Sequence, residues 1–248
     1  MSPSTNTRES REQASEFKFL VEPGLADQIR DWARSQLVSD PHGNGLCGDS
    51  YRITSLYFDT QQWDVFNKNG SYKRSKYRIR KYGNSDVVFL ERKLRRRGII
   101  SKRRSVVEID QLELLTLPFA DRTFAGFWFH RRILRRELQP VCQIAYDRMA
   151  RVAMTNNGPI RLTIDENLSA LPVNRMKFID QPGRLFNDGR VVLELKFRGD
   201  TPSVFKYLVE EFALEAQTFS KYRFAVQTLG LFGPGVELAG QYLTRENV

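Results

Sequence analysis

Lys76-Tyr77-Arg78-Ile79-Arg80, followed beyond a Gly83-Asn84 turn by Phe89-Leu90-Glu91-Arg92-Lys93, is the stretch that decides the fold. Side chains two apart on a strand share a face, so Lys76, Arg78 and Arg80 fall together and Tyr77 and Ile79 oppose them. Glu91 and Lys93 likewise oppose Leu90 and Leu94. Working outward, Glu16 and Lys18 oppose Phe17 and Phe19, and Lys102 and Arg104 oppose Val107 and Ile109. Arg161 and Asp165 then oppose Leu162 and Ile164, while Glu194, Lys196 and Arg198 oppose Leu193, Leu195 and Phe197. An ordinary solvated face of an antiparallel sheet would alternate in the same way. What separates the two readings is sign: cations predominate here and the carboxylates recur singly beside them. Cations about 4 Å apart repel by about 1 kcal/mol in water and by several times that in a protein interior, so such a face needs a counter-anion. If the sheet closes, the charged face lines a lumen and the apolar face packs under helices. The fold class expected is α+β, a closed antiparallel β-barrel with a charged lumen, flanked by helices.

The rest of the chain fits that frame. Residues 25–37 carry a helical apolar stripe, Leu25, Ile29, Trp32, Ala33 and Leu37, after Pro23 and Gly24 end the first strand. A turn-rich loop covers 41–48, and short strands are expected over 51–59, 74–82, 86–94 and 102–109. Asn69-Gly70, Gly83-Asn84 and Gly98 mark their reversals, which describes a meander and not a βαβ wind. Residues 112–138 read as helix broken near Pro118, with an Arg131, Arg132, Arg135, Arg136 cluster that suits a solvated basic face or an anion-capturing entrance. Strands resume over 141–150, 160–165 and 191–198, with an excursion over 167–190, and helices close the chain over 204–214 and 219–231. The 248 residues carry 39 Lys plus Arg against 29 Asp plus Glu, a formal charge of +10 that favours a nucleic acid, lipid or phosphorylated partner. Cys47 and Cys142 stand far apart without CxxC spacing, which supports neither a disulfide framework nor a zinc site and suits a cytoplasmic protein. No stretch approaches the roughly 20 apolar residues of a membrane span, and residues 1–15 read as a loose polar tail without an apolar leader.

Taken together, Glu16-Phe17-Lys18, Ser55-Leu-Tyr-Phe-Asp-Thr60, Lys76-Tyr-Arg-Ile-Arg80, Phe89-Leu-Glu-Arg-Lys93, Tyr146-Asp-Arg148, Arg161-Leu-Thr-Ile-Asp165, Glu194-Leu-Lys196 and Ser220-Lys-Tyr222 resemble, in order, the VTC (vacuolar transporter chaperone) catalytic domain. That family lies within the triphosphate tunnel metalloenzymes, also called CYTH proteins. The resemblance implies a tunnel domain over 16–240 and a short C-terminal tail over 241–248. It implies catalytic roles for Arg78, Arg80, Lys93, Arg161, Lys196 and Lys221, and phosphate contacts from Lys18, Lys76, Lys102, Arg104, Arg148 and Arg198. Glu194 is the first choice to hold a hard Mn²⁺ or Mg²⁺ ion, with Glu91 and Glu16 as further candidates; either could instead orient a neighbouring cation by an ion pair. Ser55 to Thr60 is left out of the site, with Tyr57 and Asp59 holding strand ends by hydrogen bonds. Hydrolytic members begin with two alternating glutamates before the lysine; Ala14 takes the first of those places here, which moves the pattern towards a polymerase.

The activity implied is polyphosphate polymerase-like: transfer of the γ-phosphoryl of ATP to a growing polyphosphate chain, with ATP and inorganic polyphosphate as partners. A triphosphatase of the same fold, or a non-catalytic polyphosphate-binding module, fits the same residues. Sequence-specific nucleic-acid binding is disfavoured, because few aromatics are counted among the charged positions to stack bases. His42 and His130 lie outside the charged strands, and no nucleophile–base set is evident.

Overall fold

The alternating stretches build one 11-stranded antiparallel sheet in the computed structural model. It describes residues 6–12, 14–40, 49–96 and 99–232, with side chains described from residue 15 onward except 96–100. In chain order the strands are β1 (Asn6–Glu12), β2 (Ala14–Val21), β3 (Val38–Ser39), β4 (Ser50–Asp59), β5 (Ser75–Tyr82), β6 (Val87–Arg96), β7 (Ile99–Glu108), β8 (Gln139–Thr155), β9 (Gly158–Pro172), β10 (Arg184–Leu185) and β11 (Val191–Arg198). Hydrogen bonds connect them in the order β1-β7-β6-β5-β4-β8-β9-β11-β2, with β10 beside β9 and β3 beside β8. The helices are α1 (Pro23–Gln36), α2 (Asp64–Asn67), α3 (Phe127–Arg135), α4 (Ser203–Glu211) and α5 (Lys221–Leu229). Among the described residues no helix is long and apolar enough to cross a membrane.

The closed barrel expected from the sequence is therefore met only in part: the ladder has two ends, β1 and β2. These edges are consecutive in the chain, separated by residue 13, and they pair in different directions. β1 pairs with β7 and β2 with β11, so no rungs join them to each other. The sheet still rolls, since Lys93 on β6 reaches Glu16 on β2 at 3.0 Å although five strands lie between β6 and β2 along the ladder. β1 itself falls within what the sequence reads as a loose tail.

The outer, apolar face is covered by helices. Ala26, Ile29 and Ala33 of α1 and Phe205 and Leu208 of α4 are buried against Phe19, Leu162, Leu193, Leu195 and Phe197. On the other half, Phe129 of α3 packs edge-on against Phe58 and Tyr77, and the Trp128 indole donates to Ser105 Oγ at 2.7 Å. Each fully buried side chain of this kind contributes about 1.5–3 kcal/mol, so burial of this face is what holds the curl. α5 instead enters on the charged side, where Tyr222 stacks on Tyr57 with ring centroids 5.6 Å apart.

Several boundaries differ from the sequence reading. β8 and β9 are 17 and 15 residues long, because the Asn156-Asn157 turn into Gly158, whose φ of +104° suits glycine, makes them one long hairpin. The excursion after β9 folds back as β10, and Gly183 there could carry no Cβ, which would lie 2.8 Å from the Ala170 carbonyl oxygen. The expected helix over 112–138 divides into a 3₁₀ segment, Asp110–Thr116, and α3, with Pro118 in the break. Asn69-Gly70 lies in a longer connection containing α2, not in a two-residue reversal. Residues 41–48, with His42 and Cys47, Gly98, and the tail over 241–248 lie outside the described residues.

Candidate active site

Strand register puts the chemistry together. Arg78 stands opposite Glu91, Glu91 opposite Arg104, and Lys76, Lys93 and Lys102 form one row across β5, β6 and β7. On the other wall, Glu194 stands between Lys18 of β2 and Thr163 of β9, and Lys196 between Glu16 and Arg161. All these side chains issue from the concave face, so cations from many strands converge as the sheet rolls.

Glu91 is buried at 2% exposure under three cations: Arg78 Nε donates to it at 2.7 Å, Lys102 Nζ lies at 3.1 Å, and Arg104 Nε donates at 2.8 Å. Burial alone would raise its pKa, but Arg78, Arg80, Lys102 and Arg104 hold the carboxyl well below the usual range. Both its oxygens are thus committed to cations, which leaves Glu91 an anchor for the two guanidinium groups. The second cluster centres on Glu194: Lys196 Nζ lies at 3.0 Å, and Lys18 and Lys221 each at 3.4 Å. Lys18 also bridges to Glu16 at 3.0 Å. Against the opposing effect of burial, Lys196, Lys18 and Lys93 bring the Glu16 carboxyl down to about 2.

Beneath these lies a buried layer. Arg148 gives both Nε and Nη2 to Asp165, at 2.5 and 2.6 Å, and Lys221 Nζ reaches the same carboxylate at 2.6 Å. Arg148 therefore supports the wall through Asp165. Arg161 bonds Asp40 at 3.0 Å and the Tyr51 hydroxyl at 3.1 Å near the far end of β9. Arg198 is exposed at the end of β11 beside Gly158, away from the converging cations. α5 closes the other end: Lys76 Nζ donates to Ser220 Oγ at 2.9 Å and Lys18 Nζ to the Phe219 carbonyl at 3.3 Å.

The charged face also carries aromatic groups that sorting by charge misses. Arg78, Arg80 and Arg104 donate to the hydroxyls of Tyr57, Tyr146 and Tyr82 at 3.3, 3.1 and 3.2 Å. Parity gives the signal: Tyr82 follows Arg80 by two, Phe89 precedes Glu91 by two, and Tyr146 precedes Arg148 by two. Tyr57 thus belongs to the site, whereas Asp59 is structural, accepting from the Thr60, Val65 and Phe66 amides and from the Tyr222 hydroxyl. Among the described residues no group of three or more His, Cys, Asp or Glu could hold a metal ion. Glu16 and Glu194, on neighbouring strands and sharing Lys18, are the carboxylate pair nearest to what a hard cation needs, but lysines bridge both oxygens of each, so a metal ion would have to displace them.

A VTC domain family model matches residues 13–230. The chain belongs to the VTC domain family. This VTC domain also matches solved structures at low identity. A candidate adenylate cyclase from Bacillus halodurans has a TM-score of 0.51 at 13% identity, covering 90% of this chain and 98% of that one. A candidate adenylyl cyclase of Hippeastrum, described as having a dominant triphosphatase activity, has a TM-score of 0.46 at 18% identity, covering 88% and 97%. The first likeness shows that the VTC domain shares its fold with a cyclase-like protein. No curated protein sequence matches the chain.

Proposed function

We propose that this VTC domain moves the γ-phosphoryl group of ATP onto a growing inorganic polyphosphate chain, the rolled sheet acting as a tunnel around the polyanion. Family membership supports the coarser reading, an enzyme of the triphosphate tunnel type. The choice of a phosphate chain over water as acceptor rests on Ala14, which stands where the resemblance would place a further glutamate, and the observation that supports an anionic substrate at all is Arg80. It is 5% exposed and lies beside Arg78, and its hydrogen bonds include those to the hydroxyls of Ser55, Tyr146 and Tyr82. A buried cation so placed calls for an anion from outside.

In this reading the triphosphate lies against Arg78, Arg80, Lys93, Lys102 and Arg104 on one wall and Lys18 and Lys196 on the other. Guanidinium forks grip non-bridging oxygens in pairs, and the lysines act as point charges. A terminal oxygen of the polyphosphate chain attacks the γ-phosphorus in line. The bond from that phosphorus to the bridging oxygen breaks, and the electron pair leaves with ADP. The attacking oxygen is already anionic, so no general base is needed, and positioning and charge neutralisation supply the acceleration. Glu194 and Glu16 would hold Mg²⁺ or Mn²⁺, which when bound neutralises further phosphate charge.

Incubation with ATP and Mn²⁺, followed by sizing of the product, tests the proposal. Long polyphosphate is the expected product; free phosphate would assign water as the acceptor, and tripolyphosphate binding without turnover would leave a binding module. Lys196→Ala, which removes the cation 3.0 Å from Glu194, should lower kcat by about 10²-fold or more with little change in melting temperature.

A further inference from the structure

One end of the charged face adds a cluster of aromatic rings to its cations. Tyr82 is the next inward residue after Arg80 on β5, Phe89 is the partner of Arg80 on β6, and Tyr51 lies on the same face of β4. Their rings are contiguous: Tyr51 and Tyr82 have centroids 6.0 Å apart, and Tyr82 meets Phe89 at 5.3 Å with an interplanar angle of 85°. All three are half-buried, in contrast to the fully buried aromatics under the helices. Their orientation is fixed from behind, because the Tyr82 hydroxyl accepts from Arg104 and the Tyr51 hydroxyl from Arg161. A planar cation already stacks here, with the Arg104 guanidinium 4.5 Å from the Phe89 centroid. The corner lies six residues along β5 from Lys76, about 20 Å from the end where Ser220 and α5 sit.

A phosphate chain gains nothing from such a surface. A purine ring does, since any base presents a π-face to aromatic and guanidinium planes. We propose that Tyr51, Tyr82 and Phe89 form a nucleobase subsite, where the base of a nucleoside triphosphate stacks while its phosphates run past Arg80 and Arg104 into the cationic groove. The donor then enters from the end opposite α5, with its γ-phosphate leading. This inference rests on the charged face binding a triphosphate, and the subsite adds to it selection of a nucleotide over inorganic tripolyphosphate.

The test is calorimetric titration of the full chain with ATP and with inorganic tripolyphosphate, for the wild type and for Phe89→Leu and Phe89→Trp. Leucine keeps apolar bulk and removes the ring; tryptophan keeps a ring. Phe89→Leu should weaken ATP by about tenfold or more and leave tripolyphosphate within about twofold, and Phe89→Trp should retain ATP affinity. The H2 and H8 protons of bound ATP should move upfield by ring current in the wild type and lose that shift in Phe89→Leu. Equal losses for the two ligands, or no loss for either, would overturn the subsite. A failure of the underlying reading looks different: tripolyphosphate then binds weakly to the wild type, or equally well to Lys196→Ala.

Discussion

At the scale of the residue, the site is a set of cations that outnumber their internal partners, and Glu91 is the member whose removal exposes this most directly. Glu91→Gln leaves Arg78, Lys102 and Arg104 facing one another around a neutral amide. Breaking a buried ion pair of this kind costs about 3–5 kcal/mol, with the lower end expected here because Lys102 is 43% exposed and partly screened. The variant should therefore melt well below the wild type in simple buffer, and tripolyphosphate should raise its melting temperature by more than it raises the wild type's, since the ligand restores the lost anion. An equal ligand-induced rise in both proteins would show that Glu91 does not stand in for substrate charge. The cations themselves were legible from alternation, because parity on a strand is a strict geometric rule. What parity could not say is which charge is spent internally: Arg148 and Asp165 face each other across β8 and β9, a pairing fixed by register and not by either strand alone. The tyrosines escaped for another reason, since a phenol counts as apolar in a charge pattern although its hydroxyl accepts from a guanidinium.

At the scale of the element, the N-terminus of α5 is the joint between scaffold and site. Ser220 caps the helix, its Oγ accepting from the Arg223 amide, and the same oxygen accepts from Lys76. Ser220→Ala should cost about 1 kcal/mol in urea denaturation through the lost cap. It should also release Lys76 and change the affinity for tripolyphosphate; unchanged stability would mean that the cap contributes nothing and that tertiary packing of Tyr222 alone holds the helix. The helical stripe of α1 and the closing helices could be read from spacing, because a helix announces its buried face every three or four residues. Strand length was harder. β8 and β9 run far past their apolar cores because the ladder between them continues from Cys142–Pro172 to Thr155–Gly158 with one shift after Ala145, a source of order that composition does not display. The break between the 3₁₀ segment and α3 was signalled by Pro118, but the backbone's choice of a tighter turn over Asp110–Thr116 was not.

At the scale of the whole molecule, rolling the sheet concentrates positive charge faster than the protein neutralises it, and protonation records the excess. Loss of hydration, then Lys18, Lys93 and Arg78, bring Lys76 down to about 8. Loss of hydration, opposed by Glu91 and reinforced by Arg104, brings Lys102 to about 8 as well. Burial raises the Tyr82 phenol, but Arg80 and Arg104 outweigh it and leave it near 8. Whether the ring of strands closes was not legible from the sequence, since closure depends on how one N-terminal segment divides itself between β7 and β11; the crowding of charge follows from the roll in either case. Between pH 8 and about 10 the unfolded chain keeps protons on these groups that the folded chain has shed, so the ligand-free protein should gain stability as pH rises through that window. A bound polyanion favours the protonated lysines, so binding takes up protons there and its stabilising effect should shrink as pH rises. Lys76 and Lys102 both reach solvent, and screening limits the loss to the order of 1 kcal/mol per lysine at pH 9.5. Melting temperatures at pH 7.5 and 9.5, with and without tripolyphosphate, should therefore move in opposite directions: the ligand-free value up, and the ligand-induced increment down. An increment that stays constant or grows would mean that these lysines do not face the anion, and the cationic groove would lose its role as the place where phosphate is held.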